Sequence, residues 1–171
     1  MSEDDRSRYV LPADIAEMAE QVVEANRRIG RRLVLAESCT GGLVTSALTE
    51  VPGSSDVFDC GFVTYTNESK IGLLGVSPDI IETFGAVSIA CVWSMAQGAL
   101  ARSNADLAVA ISGVAGPDGG TDLKPVGTVV FARALRGHSG QPEGESRLFE
   151  VQGRGAIRRE ATICALELLL P

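Results

Sequence analysis

Three polar residues stand where the sequence pattern changes from strand to turn or helix: Ser38, Tyr65 and Lys70. Ser38 ends the run Leu33-Val-Leu-Ala-Glu-Ser38, which reads as a buried strand. The chain then turns through Thr40, Gly41 and Gly42 into a helix, marked by the apolar period from Leu43 to Leu48. A serine at such a junction is either an N-cap for an orphan amide or a nucleophile facing the positive end of the helix. The choice depends on a base elsewhere in the chain. Lys70, in Tyr65-Thr-Asn-Glu-Ser-Lys70, is the candidate. In a dry pocket a lysine can be neutral and accept a proton from a hydroxyl, and Ser-Lys pairs are an alternative to the histidine triad. Tyr65 would position that amine or relay a proton, and amides at the start of the helix after Ser38 would stabilise an oxyanion. Taken singly, each residue has a plainer role: a cap, a core aromatic, a solvated helix lysine.

Two scarcities narrow the chemistry. His138 is the only histidine, in the loop-like Arg136-Gly-His-Ser-Gly-Gln-Pro-Glu-Gly144. A Ser-His-Asp triad, a Cys-His dyad and a multi-histidine metal site therefore do not fit. Lys70 and Lys124 are the only lysines beside thirteen arginines, and only a lysine can lose its proton on burial. The four cysteines (Cys39, Cys60, Cys91 and Cys164) form no C-x-x-C pair and read as small buried hydrophobes, although Cys39 adjoins Ser38. Asp118 and Asp122 lie in a glycine-rich turn and read as turn formers, with no metal implied.

Composition excludes other classes. Hydrophobic residues make up 45% and charged residues 22%, which is ordinary for a globular chain. A net charge of −7 and only 5% aromatics argue against nucleic-acid partners. No apolar run reaches membrane-spanning length and the acidic start is unlike a signal peptide, so a soluble cytoplasmic protein is expected.

The elements that must hold these residues follow in order. Residues 1–12 read as a flexible tail, and 13–171 as one domain. Residues 14–28 carry helical spacing, 57–66 are rich in strand formers, and 67–75 and 77–84 read as short helices. A longer helix spans 88–103, followed by a continuous apolar strand at 106–112 and a glycine-rich loop at 113–120. Strands at 126–135 and 147–151 flank a turn at 137–144, and a helix closes the chain from 153 to 170. The alternation implies a three-layer α/β/α sandwich with a mixed, mostly parallel sheet. Ser38, the 65–70 segment and the loop after Ser112 then fall at strand ends, where such sheets place ligands.

Several of these stretches, taken together, resemble one family. Ala36-Glu-Ser-Cys-Thr-Gly-Gly42, Gly61-Phe-Val-Thr-Tyr-Thr-Asn-Glu-Ser-Lys70, Gly85-Ala-Val-Ser88, Ser112-Gly-Val-Ala-Gly-Pro-Asp-Gly-Gly120 and Lys124-Pro-Val-Gly-Thr128 are similar to motifs of the CinA C-terminal-domain family. The likeness runs from about residue 13 to 170, and the family includes stand-alone nicotinamide-nucleotide amidases. The resemblance implies hydrolysis of nicotinamide mononucleotide to nicotinate mononucleotide and ammonia, with no cofactor. It assigns Ser38 as nucleophile, Lys70 as base and Tyr65 as their support. It further implies substrate contacts from Ser55, Ser112, Thr40 and Gly41, a phosphate contact from Arg154, and a homo-oligomer. The molybdopterin-binding-like domain of two-domain members has no counterpart here, so its pyrophosphatase activity is not expected.

Rival readings remain. Short-chain dehydrogenases also use Ser, Tyr and Lys, but need tyrosine and lysine four apart on one helix; here they are five apart across an element boundary. Cys39 as nucleophile lacks a histidine. A non-catalytic nucleotide-binding module of the same fold would keep every motif.

Overall fold

The computed structural model describes residues 9–138 and 143–171. Of the expected N-terminal tail, residues 1–8 lie outside the described residues. Val10 and Leu11 donate their amides to the Glu50 carboxylate. The chain then runs through α1 (Ala13–Arg28), β1 (Leu33–Glu37), α2 (Leu43–Glu50), β2 (Phe58–Val63), α3 (Asn67–Leu74) and α4 (Pro78–Phe84). It continues as α5 (Ile89–Ala101), β3 (Leu107–Gly113), β4 (Thr128–Leu135), β5 (Glu143–Leu148) and α6 (Arg154–Leu168).

The strands form one five-stranded sheet in the order β2-β1-β3-β4-β5. β1 pairs parallel with β2 and β3, whereas β4 pairs antiparallel with β3 and β5. Only β4 is reversed, so the sheet is mixed with four strands pointing the same way. No described helix is long and apolar enough to cross a membrane.

Alternation along the strands makes the two faces different. Leu33, Leu35, Leu107, Val109, Ile111, Val129 and Phe131 face the core shared with α1, α2 and α6. Val34, Ala36, Ala108, Ala110, Ala132 and Ala134 face α5 and the end of α3. A face made mostly of alanine lets α5 sit close to the sheet. α5 in turn presents Gly98 to α3, where an added Cβ would lie 1.9 Å from the Leu74 carbonyl oxygen. Arg102 donates to that same carbonyl at 3.1 Å and to the Gly98 carbonyl at 3.2 Å. The C-terminus of α3, the helix that carries Lys70, is thus fixed by a backbone-to-backbone approach and one guanidinium.

The helix after Ser38 begins at Leu43, past the turn, because Gly41 and Gly42 take φ of 61° and 93°, outside helical backbone. Two boundaries differ from expectation. The strand expected over 57–66 spans Phe58–Val63. The last strand is Glu143–Leu148 rather than 147–151. Its residues are mostly exposed on both faces, so apolar alternation does not report its register; pairing with β4 sets it instead. Of the turn expected at 137–144, residues 139–142 lie outside the described residues. His138 is exposed just after β4, at the end of the sheet away from Ser38.

Because α3 and α5 touch through backbone at Gly98, Gly98→Ala is expected to destabilise the fold by about 1–3 kcal/mol. The urea midpoint reads this directly. An unchanged midpoint would contradict the close approach of the two helices.

Candidate active site

The end of β1 directs two neighbouring polar side chains to opposite faces of the sheet. Glu37 follows Leu33 and Leu35 toward α2, and Ser38 follows Val34 and Ala36 toward α3. Ser38 is still held in the sheet, its amide donating to the Ile111 carbonyl at 2.9 Å.

On its face, Glu37 is fully buried and caps α2 from the preceding strand. One carboxylate oxygen accepts from the amides of Gly42 (3.0 Å) and Val44 (3.2 Å). The other accepts from the Thr45 amide (2.8 Å) and hydroxyl (2.7 Å). This is a charge-assisted cap, and it places negative charge at the positive end of the helix. Two expectations change as a result. Ser38 is not the cap of this helix, and the α2 amides are not available to an oxyanion, because Glu37 already occupies them.

On the other face, Lys70 is 1% exposed, the largest fully buried side chain of the described residues. A capping box sets its helix: the Thr66 hydroxyl accepts from the Ser69 amide, and the Ser69 hydroxyl accepts from the Thr66 amide, both at 3.1 Å. Lys70 in the next position points inward, with Nζ 3.1 Å from Ser38 Oγ and 2.8 Å from the Thr64 carbonyl oxygen. The Thr64 amide itself donates to the Glu37 carbonyl, so β1 fixes the acceptor that steers the amine.

Among the described residues Lys70 forms no ion pair. Burial lowers its pKa from the ordinary lysine value. The nearby thiols do not supply a counter-charge, since burial pushes Cys91 upward and Cys39 up to about 11. A neutral amine here can donate one N–H to Thr64 and direct its lone pair at the Ser38 hydroxyl. Cys39, buried and held as a thiol, is a poor nucleophile by the same physics.

Ser38 and Lys70 open onto a cleft of about 240 Å³, also lined by Cys39, Tyr65, Ser112 and Arg154. Ser112 lies at the C-terminal end of β3 and Asn67 at the start of α3; Ala86 and Val87, between α4 and α5, close a further side. Tyr65 is 57% exposed at the rim. Its hydroxyl accepts from Arg154 at 2.5 Å rather than meeting Lys70, whose position is set by Thr64. Arg154, the first residue of α6, also donates to the Gly116 carbonyl at 2.9 Å and so ties the glycine-rich loop to the cleft. A second cleft, about 250 Å³, lies between β4, β5 and the end of α6. It contains the Arg133–Glu143 ion pair but no nucleophile.

The remaining expected contacts lie farther out. Thr40 is fully buried behind the turn, its hydroxyl without a hydrogen-bond partner among the described residues. Gly41 is exposed beside it. Ser55 is exposed in the short turn Ser54–Asp56 that leads into β2, at the far end of the sheet. Parallel pairing aligns Leu33 with Phe58 and Glu37 with Val63, so the length of β2 separates Ser55 from this chain's Ser38. Of the cysteines, Cys60 is half-buried on the edge strand rather than buried.

Two residues at the site escape sequence reading. Glu37 is detectable in principle, as a charge inside an otherwise apolar strand. Arg158 is not, being one of three arginines on α6; its Nε donates to the Cys39 carbonyl at 3.0 Å and its Nη2 to the Thr40 carbonyl at 2.9 Å.

Comparison with known proteins agrees with this architecture. The CinA C-terminal domain model matches residues 15–171. The chain is 46% identical over 158 residues to the nicotinamide-nucleotide amidohydrolase PncC of Escherichia coli K12, covering 92% of this chain and 93% of that protein. It is 47% identical over 167 residues to a putative competence-damage inducible protein of Symbiobacterium thermophilum, covering 95% of this chain but 39% of that protein's length. The crystal structure of the competence/damage inducible protein CihA from Agrobacterium tumefaciens superposes with a TM-score of 0.88 at 46% identity, covering 94% of this chain and 96% of the other. The chain belongs to the CinA C-terminal domain family.

Proposed function

We propose that this protein is a cytoplasmic amidohydrolase that converts nicotinamide mononucleotide to nicotinate mononucleotide and ammonia, using Ser38 as nucleophile and Lys70 as base. The observation that carries the reading is the buried amine of Lys70, 3.1 Å from Ser38 Oγ and without a carboxylate partner among the described residues. The similarity to PncC of Escherichia coli supports the choice of substrate.

The chemistry balances with these groups. Ser38 Oγ bonds to the carboxamide carbon as its proton passes to Lys70 Nζ, and the carbonyl π pair moves onto oxygen. Collapse of this intermediate breaks the C–N bond, and the Lys70 ammonium returns the proton to the departing ammonia. Water then attacks the ester; Lys70 takes its proton and delivers it to Ser38 Oγ as nicotinate leaves. Tyr65 and Arg154 form one hydrogen-bonded unit at the rim, and Ser112 faces the same space. Arg154 opens a helix of 15 residues with no side-chain cap and no acid in its first turn, which suits the substrate's phosphate. Thr40 and Gly41 act through the backbone turn they build. A contact from Ser55 would have to come from another copy in a homo-oligomer.

Ser38→Ala and Lys70→Arg are each expected to lower ammonia release by roughly 10³-fold or more, because alanine removes the nucleophile and arginine stays protonated and cannot act as base. Mass spectrometry of quenched wild-type enzyme should show a nicotinoyl-nucleotide adduct on Ser38. Turnover by Ser38→Ala would reject the acyl-enzyme route, and absence of turnover in the wild type would favour a binding module.

The depressed Lys70 pKa also predicts a stability signature. In the window between its folded pKa and the free-lysine value near 10.4, the unfolded chain holds a proton that the folded chain lacks. Wild-type stability should therefore rise with pH through that window, the burial cost being fully present below it. Lys70→Met should be the more stable protein at lower pH, and its advantage should shrink as pH rises. Urea midpoints over a pH series check this, and a constant difference would contradict it.

A further inference from the structure

β5 is an edge strand, paired among the described residues only with β4. Hydrogen bonds at the start of β4 fix which way its peptide groups point. The Val114 amide donates to the Thr128 carbonyl on the β3 side, and the Phe149 amide donates to the Gly127 carbonyl on the β5 side. Peptide groups alternate along an antiparallel ladder. Those of Glu143, Glu145 and Arg147 therefore face β4, and those of Gly144, Ser146 and Leu148 face away from the sheet. All three outward residues are exposed. The pairing with β4 runs without a register shift and the strand holds no proline, so neither a bulge nor a missing amide blunts this edge.

We infer that β5 is an interface for a second copy of this chain, pairing antiparallel with its own counterpart about a two-fold axis at Ser146. The inference is independent of the chemistry proposed for Ser38 and Lys70.

Charge selects the register. With Ser146 opposite Ser146 of the second copy, Glu145 lies opposite Arg147 of that copy, and Arg147 opposite its Glu145. These are the close, non-hydrogen-bonded positions of the ladder, with Cα atoms about 4.5 Å apart. A shift of one residue either way would set glutamate against glutamate or arginine against arginine, which is destabilising. Within one chain Arg147 already lies 2.9 Å from Glu145 and 4.0 Å from Glu167, all on the α6 face. Pairing extends this into a row of alternating charges.

The α5 face is complementary in a different way. Gly144 and Ser146 pair with Ala132 and Val130, which face α5. Ile89 of α5 fills the space over Gly144, where an added Cβ would lie 2.5 Å from Ile89 Cγ2. The same register sets Leu148 of the second copy opposite Gly144, and so against Ile89. Leu148 is 51% exposed and Ile89 39% exposed in the single chain. Two such apolar contacts, related by the two-fold axis, flank the central serines, and every outward peptide of Gly144, Ser146 and Leu148 gains a partner. The two five-stranded sheets then become continuous, with a β2 at each end. Ser55 lies beside β2, so a contact from it would need a separate interface.

The test is the mass of the full-length chain by sedimentation equilibrium across the micromolar range, for wild type, Glu145→Arg, Arg147→Glu and an equimolar mixture of the two variants. Each variant alone opposes like charges and is expected to show half the wild-type mass. The mixture should regain the wild-type mass, because every charge on one variant then meets its opposite on the other. A monomeric wild type, folded variants that keep the wild-type mass, or a mixture that stays at half mass would overturn the inference. Amide hydrogen exchange of the wild type, followed by NMR, gives a reading that needs no variant to fold. Slow exchange is expected at Ser146 as well as at Glu145 and Arg147, whereas fast exchange at Ser146 beside slow neighbours marks a free edge and overturns the inference.

Discussion

A lysine sealed from water, with no anionic partner among the described residues, is the constraint around which this structure is arranged. Keeping an ammonium there would cost on the order of several kcal/mol, a cost that an ion pair would offset and loss of a proton avoids. Lys70 has only a carbonyl and a hydroxyl for company, and the thiols nearby are held in their neutral forms. Burial therefore shifts Lys70 toward its neutral form, and that shift is a property of the packing. The alanine face of the sheet, the Gly98 contact beneath α3 and the capping box at Thr66 all serve to hold one amine in a dry place.

The end of β1 organises the other half of the site. Because successive side chains alternate, Glu37 and Ser38 cannot compete for the same neighbours. The carboxylate stabilises the helix that follows, and the hydroxyl meets the Lys70 amine on the opposite face. A serine capping α2 would have had its oxygen committed to an amide. Moving the cap to the preceding residue leaves Ser38 available to Lys70.

How much of this is legible in the sequence depends on whether the signal is local. The Ser38 and Lys70 pairing is legible because a chain with two lysines and one loop histidine offers few bases, and both residues sit beside strand ends. The order of helices and strands is legible from apolar period, since most strands are buried on one or both faces. β5 is not, because an exposed edge strand has no apolar face to fix its register. Tyr65 looks like a partner for Lys70 from spacing alone, yet the fold brings Arg154, 89 residues away, to its hydroxyl. The same is true of Arg158 and the Cys39 carbonyl, 119 residues apart. Ser55 illustrates the converse: it is close to Lys70 in sequence, but a parallel strand carries the chain the full length of the sheet between them.

With only two lysines, the charge on Lys70 can be read without ambiguity. Protein labelled with ¹³C at lysine Cε, titrated by NMR with Lys70→Met for assignment, gives each amine its own curve. One resonance, absent from the variant, should titrate below the free-lysine value near 10.4, while the Lys124 resonance serves as an internal comparison. If the Lys70 resonance instead titrates at the ordinary lysine value, the amine is charged in the folded protein, and Ser38 has no base.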